Sequence, residues 1–240
     1  MDAYAFHPGI GYNLRMRCLA PGVLTYGCLL AAHLSAECQS PGQARWPIKI
    51  SVPDSANLTG KPKTLEGMIA LGIPANVTAS DSDFQKNRIP GSGGGHGNNE
   101  GDIVTIQGFL YLVATEGNDC EYHIQISNKP RTLSDKPQAD DQCVIVEVAR
   151  PDAFSDPALR ARAEAVREFV RSRLTAGKEP GAGNVMAHAT FVKVTGQLFF
   201  DDAHLKSDGT IELRGKKGMK SQTLWELHPV VDLQFAKPPV

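Results

Sequence analysis

The stretch Ile103-Val104-Thr105-Ile106-Gln107-Gly108-Phe109-Leu110-Tyr111-Leu112-Val113-Ala114 (IVTIQGFLYLVA) marks the point where the character of the chain changes. From Pro41 to Glu100 apolar residues recur with no sustained period. From Ile103 onward β-branched and aromatic residues dominate, which predicts a long strand. Gly108 in its middle predicts a bend.

The same character continues downstream. Glu121–Ser127 alternates Tyr122, Ile124 and Ile126 with His123 and Gln125, and Cys143–Ala149 alternates Val144, Val146 and Val148 with Ile145 and Glu147. Both predict strands with one apolar face. A helix is predicted next: Asp156 can cap it, Pro157 suits its first turn, and Leu159, Ala163, Val166, Val170 and Leu174 recur at helical spacing before Gly177. Its other face, with Arg160, Arg162, Glu164, Arg167, Glu168 and Arg171, is expected to be solvated. Ala189–Phe200 and Thr223–Phe235 complete the set as a fourth and a fifth strand. Three strands, a helix and two strands within about 130 residues is the order of an OB-type barrel. The expected fold is therefore mainly β, a five-stranded OB-type barrel over residues 101–236 with one helix between strands three and four, preceded by a disordered region.

That preceding region, 38–100, is expected to hold little structure. Thr64–Leu71 (TLEGMIAL) could make two helical turns before Pro74. GSGGGHGNNEG, ending at Gly101, has linker composition. It is not a phosphate-binding loop, since no Gly-Lys-Ser/Thr follows. Residues 1–37 place Arg15 and Arg17 before an apolar run, Cys18–Ala36, and read as a signal peptide with a natural start at Met16, or as an uncleaved membrane anchor. Export, to a periplasmic or extracellular location, is the expectation.

Twenty-five Lys and Arg against 26 Asp and Glu leave no bulk field for nucleic acid or an anionic membrane. Any such partner must be held locally. Past the apolar run three cysteines remain, Cys38, Cys120 and Cys143. A Cys120–Cys143 bridge would have to join opposite ends of a hairpin, against the short reach of a disulfide.

Outward positions on strands two to five collect His123, Glu147, Glu226, His228 and Asp201, with His204 just beyond the fourth strand. Imidazoles and carboxylates are the usual ligands of a divalent metal, and a spare Glu could act as general base. Ordinary polar strand surface is the competing reading. The loop 202–222 carries Arg214, Lys216, Lys217 and Lys220 and is a candidate grip for a polyanion, although it lacks aromatics for stacking. Cys120, three residues before His123, would face the opposite side of a strand and makes a poor nucleophile for it.

The segments Val194–His204 (VTGQLFFDDAH) and Trp225–Val230 (WELHPV), with Glu121–Ile124 and Val146–Val148, resemble a pattern of small uncharacterised exported bacterial proteins. The resemblance implies a domain type without an established activity. Two functions are expected from the residues: a secreted ligand-binding module, taking nucleic acid or acidic polysaccharide, or a metal-dependent phosphodiester hydrolase.

Overall fold

A computed structural model describes residues 45–91, 97–117, 119–132, 135–136, 138 and 140–239. The expected signal peptide and the centre of the Gly-rich linker lie outside the described residues. Among those described, no helix is long and apolar enough to cross a membrane.

The elements are α1 (Trp46–Ile50), β1 (Lys61–Pro62), α2 (Leu65–Ile69), β2 (Ile103–Thr115), β3 (Tyr122–Ser127), β4 (Cys143–Val148), α3 (Pro157–Phe169), β5 (Asn184–Phe200) and β6 (Trp225–Phe235). The six strands form one mixed sheet in the order β1-β2-β3-β4-β6-β5, and β2 also pairs with β5. β4 and β6 run parallel through Val146 and Leu227, and β1 runs parallel to β2. The other ladders are antiparallel.

Six strands stand where five were expected, and the reason is geometric. β3 covers β2 only from Phe109 onward, and Lys61 and Pro62 fill the uncovered edge beside Val104 and Thr105. A two-residue strand has no periodicity to betray it. β5 also begins earlier than Ala189, because Asn184 and Val185 pair with Val113 and Leu112 before the chain leaves the ladder and rejoins it at Thr190.

The register of β2 slips at Tyr111 and not at Gly108. Gly108 serves close approach instead: a Cβ there would lie 2.6 Å from Ile126 Cγ2 and 2.9 Å from the Ser127 carbonyl oxygen.

The apolar core joins the inward faces of all five long strands to Leu65 and Met68 of α2 and Val166 and Val170 from α3 and the turn that continues it. The region expected to hold little structure is thus part of the core. Leu71, Val77 and Ile89 are also buried there, and Trp225 Nε1 donates to the Gly72 carbonyl at 2.8 Å. Burying each such aliphatic side chain contributes about 1.5–3 kcal/mol. An ion pair fastens this region down. Arg45 Nη2 lies 2.5 Å from Glu100 Oε2, both side chains are fully buried, and Arg45 also donates to the Phe84 and Phe200 carbonyls. Glu100 in turn accepts from the Ile89 and Phe200 amides.

α3 is capped as expected, Asp156 Oδ1 accepting from the Ala158 amide at 2.8 Å. Its outer face is only partly solvated. Arg171 pairs with Glu164 and Glu168, but Arg167 is buried, lies 3.6 Å over the Tyr122 ring and donates to the Cys120 carbonyl. Cys120 is disulfide-bonded, whereas Cys143 is a free, buried thiol pushed up to about 12 by burial. The two therefore do not bridge each other.

Gly108→Ala is expected to lower the urea midpoint by an amount equivalent to about 1–3 kcal/mol with the slope unchanged, since the Ser127 backbone cannot move aside. An unchanged midpoint would mean that β2 and β3 can separate at no cost.

Candidate functional site

Strands β3 and β4 and the first half of β6 are buried on both faces, so the polar positions of the outer face are not at a solvated rim. Two segments cover them. α1 brings Lys49 over one side and the loop 202–222 brings Arg214 over the other.

The sheet sets the first pair. His123 and Glu147 are register partners across β3 and β4, and His123 Nδ1 lies 3.3 Å from Glu147 Oε1. Glu226, on β6, and Asp201, at the end of β5, complete a patch of buried carboxylates with Glu121 just before β3. Without countercharge such a patch could not stay ionised.

Lys49 Nζ supplies part of that charge, at 2.7 Å from Glu147 Oε2, 3.4 Å from Glu121 Oε2 and 3.7 Å from Glu226 Oε1. Arg214 supplies the rest: Nη1 reaches Asp201 Oδ2 at 2.5 Å and Glu226 Oε2 at 2.6 Å, and Nη2 reaches Glu147 Oε1 at 3.0 Å. His204 Nδ1 lies 2.8 Å from Asp201 Oδ2, and His228 Nε2 2.8 Å from Glu121 Oε1.

Burial works to raise every one of these carboxyl pKa values, and local charge decides the outcome. Lys49 and Arg214 outweigh burial at Glu147 and hold it well below the usual range. Arg214 and His204 do the same for Asp201, down to about 2. At Glu226 burial and the Glu147 charge prevail, and its carboxyl is pushed up to about 7. Hydrogen bonding to Asp201 raises His204, and at His228 the Glu121 charge outweighs burial and raises it too.

All six expected cluster residues meet in this network, His123, Glu147, Asp201, His204 and Glu226 around the two cations and His228 through Glu121. His228 is fully buried and turned to Glu121 and to the Lys49 carbonyl. Lys49 and Glu121 were missed. Glu121 shares the parity of His123 and could have been read from it, while Lys49 sits in a segment without pattern.

The expected anion grip is differently arranged. Arg214 points inward, Lys216 Nζ pairs with Glu116 at 3.1 Å, and Lys220 Nζ donates to the Gly215 carbonyl. Tyr111 Oη donates to the Lys217 carbonyl and holds the loop against the sheet.

Glu121, Glu147 and His228 offer ligand atoms within 4.8 Å of one another. The Lys49 ammonium already stands against two of them, so a divalent ion there would meet a like charge at contact distance. The donor set therefore fits a metal only if Lys49 leaves.

A cleft of about 550 Å³ opens over the network, lined by His123, Glu147, Asp201, His204, Phe199 and parts of the loop. His123 is 3% exposed, and its Nε2 has no hydrogen-bond partner. No protein-family model, curated protein or solved structure gives a significant match to this chain.

Glu226, whose pKa is raised from 4.5, stabilises the fold at acidic pH, and that contribution is lost as pH rises through about 7. The urea midpoint is expected to fall over this range by about 1–3 kcal/mol equivalent, and Glu226→Gln to flatten the fall. An identical pH profile in the variant would place the titration elsewhere. Lys49→Met, which strips the charge facing three carboxylates, is expected to cost about 3–5 kcal/mol near pH 7, measured by the same denaturation.

Proposed function

We propose that this chain is an exported ligand-binding module built on an OB-type barrel, and that its ligand is a small, polar molecule without net charge seated in the cleft over His123. The barrel reading draws on the pairing order, in which β2 returns to β5 and β4 runs parallel to β6 with the helix between β4 and β5. That is the connectivity of an OB fold, with β1 as an addition. Export is supported by Arg15 and Arg17 before the apolar run and by the disulfide at Cys120, a bond that persists in oxidising compartments.

The observation that carries the binding reading is the orphaned Nε2 of His123. A buried polar atom without a partner costs about 1–3 kcal/mol, and a cleft ligand would supply the partner. The cleft volume lies within the usual range for small-molecule sites. Its lining decides the charge of the occupant. Six carboxylates face four Lys or Arg side chains, which disfavours a polyanion, and of the loop cations that were expected to hold one Arg214, Lys216 and Lys220 are engaged within the protein. Mixed donors and acceptors around Phe199 suit a polyhydroxylated molecule such as a saccharide. Metal-dependent phosphodiester hydrolysis has less support, because Lys49 occupies the metal's place and the cleft disfavours phosphate.

The test is a thermal-shift screen of the protein against neutral mono- and disaccharides, dipeptides and a single-stranded oligonucleotide at low salt. A neutral or zwitterionic compound is expected to raise Tm by several degrees near 100 times its Kd, and Ala203→Trp, at an exposed position lining the cleft, is expected to abolish the shift. A shift with the oligonucleotide alone would overturn the reading.

A further inference from the structure

The two histidines that line the cleft are held in the same way. His123 presents Nδ1 to Glu147 at 3.3 Å, and His204 presents Nδ1 to Asp201 at 2.8 Å. One guanidinium joins the two carboxylates: Arg214 Nη2 binds Glu147 and Nη1 binds Asp201. The result is a row, His123, Glu147, Arg214, Asp201, His204, closed at each end by an imidazole whose Nδ1 is committed. A carboxylate at Nδ1 fixes the ring and its tautomer and leaves Nε2 to do chemistry. On His123, a residue lining the cleft, that Nε2 is buried and without a partner.

The two ends are not equivalent. Asp201 and Glu226 face His204 and favour its protonated form over the opposing Arg214 charge, so it is suited to give a proton. His123 faces Glu147 and, at 3.6 Å, Glu116 through Nδ1, and its Nε2 is the ring nitrogen left without a partner. Among the described residues lining the cleft there is no Ser, Thr or Cys, so no hydroxyl or thiol nucleophile is offered there and water is the simpler attacking group.

We propose that His123 and His204 are the general base and general acid of a hydrolytic site that cleaves a carboxylic ester on a neutral polyol, such as an O-acylated sugar, by direct attack of water. This rests on the cleft being the ligand site. His123 Nε2 takes a proton from water as the water oxygen bonds to the acyl carbon. The bond from that carbon to the sugar oxygen breaks, and His204 Nε2 gives its proton to the departing oxygen. The products are a carboxylic acid and an alcohol. The acid ionises, and exchange with solvent returns His123 to its neutral form and His204 to its protonated form. The excess of carboxylates in the lining, which disfavours phosphodiesters, repels the carboxylate product and assists its release.

The test uses the full chain with two substrates, p-nitrophenyl acetate and a per-acetylated methyl glycoside, the second with an alkoxide leaving group that needs a proton. Both are expected to be hydrolysed, with a bell-shaped dependence on pH for the glycoside. His123→Gln is expected to lower kcat on both by about 10²–10⁴ and to remove the acidic limb. His204→Gln is expected to lower kcat by the same order on the glycoside, to remove the alkaline limb, and to leave the p-nitrophenyl ester within about threefold, since that leaving group departs without an acid. Urea midpoints of each variant separate loss of fold from loss of chemistry. If His123→Gln does not fold, Ala203→Trp must abolish hydrolysis in its place. Binding of the glycoside without hydrolysis would overturn the catalytic proposal and leave the binding module standing. No hydrolysis, together with no thermal shift from any neutral or zwitterionic compound of the screen, would overturn both.

Discussion

Four carboxylates packed against one another on a sheet face are the constraint around which this structure is arranged. Glu121, Glu147, Asp201 and Glu226 are all nearly buried, and the interior alone would force them neutral. They are stable as a group because Lys49 and Arg214 are inserted among them, each touching three. The sheet can place acids side by side, but it cannot supply the countercharge, which arrives on α1 and on the loop 202–222. The layer above the sheet is therefore as much part of the site as the strands. Removing charge on either side of this balance unsettles the other, which is why one carboxyl can sit near neutrality while its neighbours are strongly acidic.

The long elements were legible in the sequence because their patterns are long. Alternation in β3 and β4, the apolar run of β2 and the capped helix α3 all repeat enough times to declare themselves, and parity put His123, Glu147, Asp201 and Glu226 on a common face. Parity could not say what lay above that face. A polar position on a strand reads as solvated unless a covering layer is known, and the cover here is one short helix from a patternless segment and one loop rich in Gly and Lys. Lys49 and the inward turn of Arg214 were invisible for that reason. β1 was invisible because two residues are too few to show a period, and Arg167 because a guanidinium lying over Tyr122 has the same sequence signature as a solvated one.

The residues from Arg45 to Glu100 carry a wider lesson about weak pattern. Short helices and irregular turns bury Leu65, Met68 and Ile89 as completely as any strand does. What holds them is a pair of charges at zero exposure, Arg45 and Glu100, whose remaining hydrogen-bonding capacity is spent on backbone groups of Phe84, Ile89 and Phe200. A buried pair of this kind adds little stability compared with an apolar substitute, but it tolerates few alternative arrangements. It gives a segment without periodicity one defined path across the sheet.

Lys49 and Arg214 reach the same carboxylates from opposite halves of the chain, and this bears on how the molecule is made. Arg214 lies only 13 and 12 residues from Asp201 and Glu226, whereas Lys49 lies 72 and 98 residues from Glu121 and Glu147, so the contacts of Lys49 carry the larger loop-closure cost. A chain whose strands have paired but whose Lys49 has not arrived would hold Glu121 and Glu147 in the protonated state or leave them open to water. Where those acids are held protonated, the arrival of Lys49 draws protons off the protein, and completing the site becomes an event that pH can set apart from pairing of the strands.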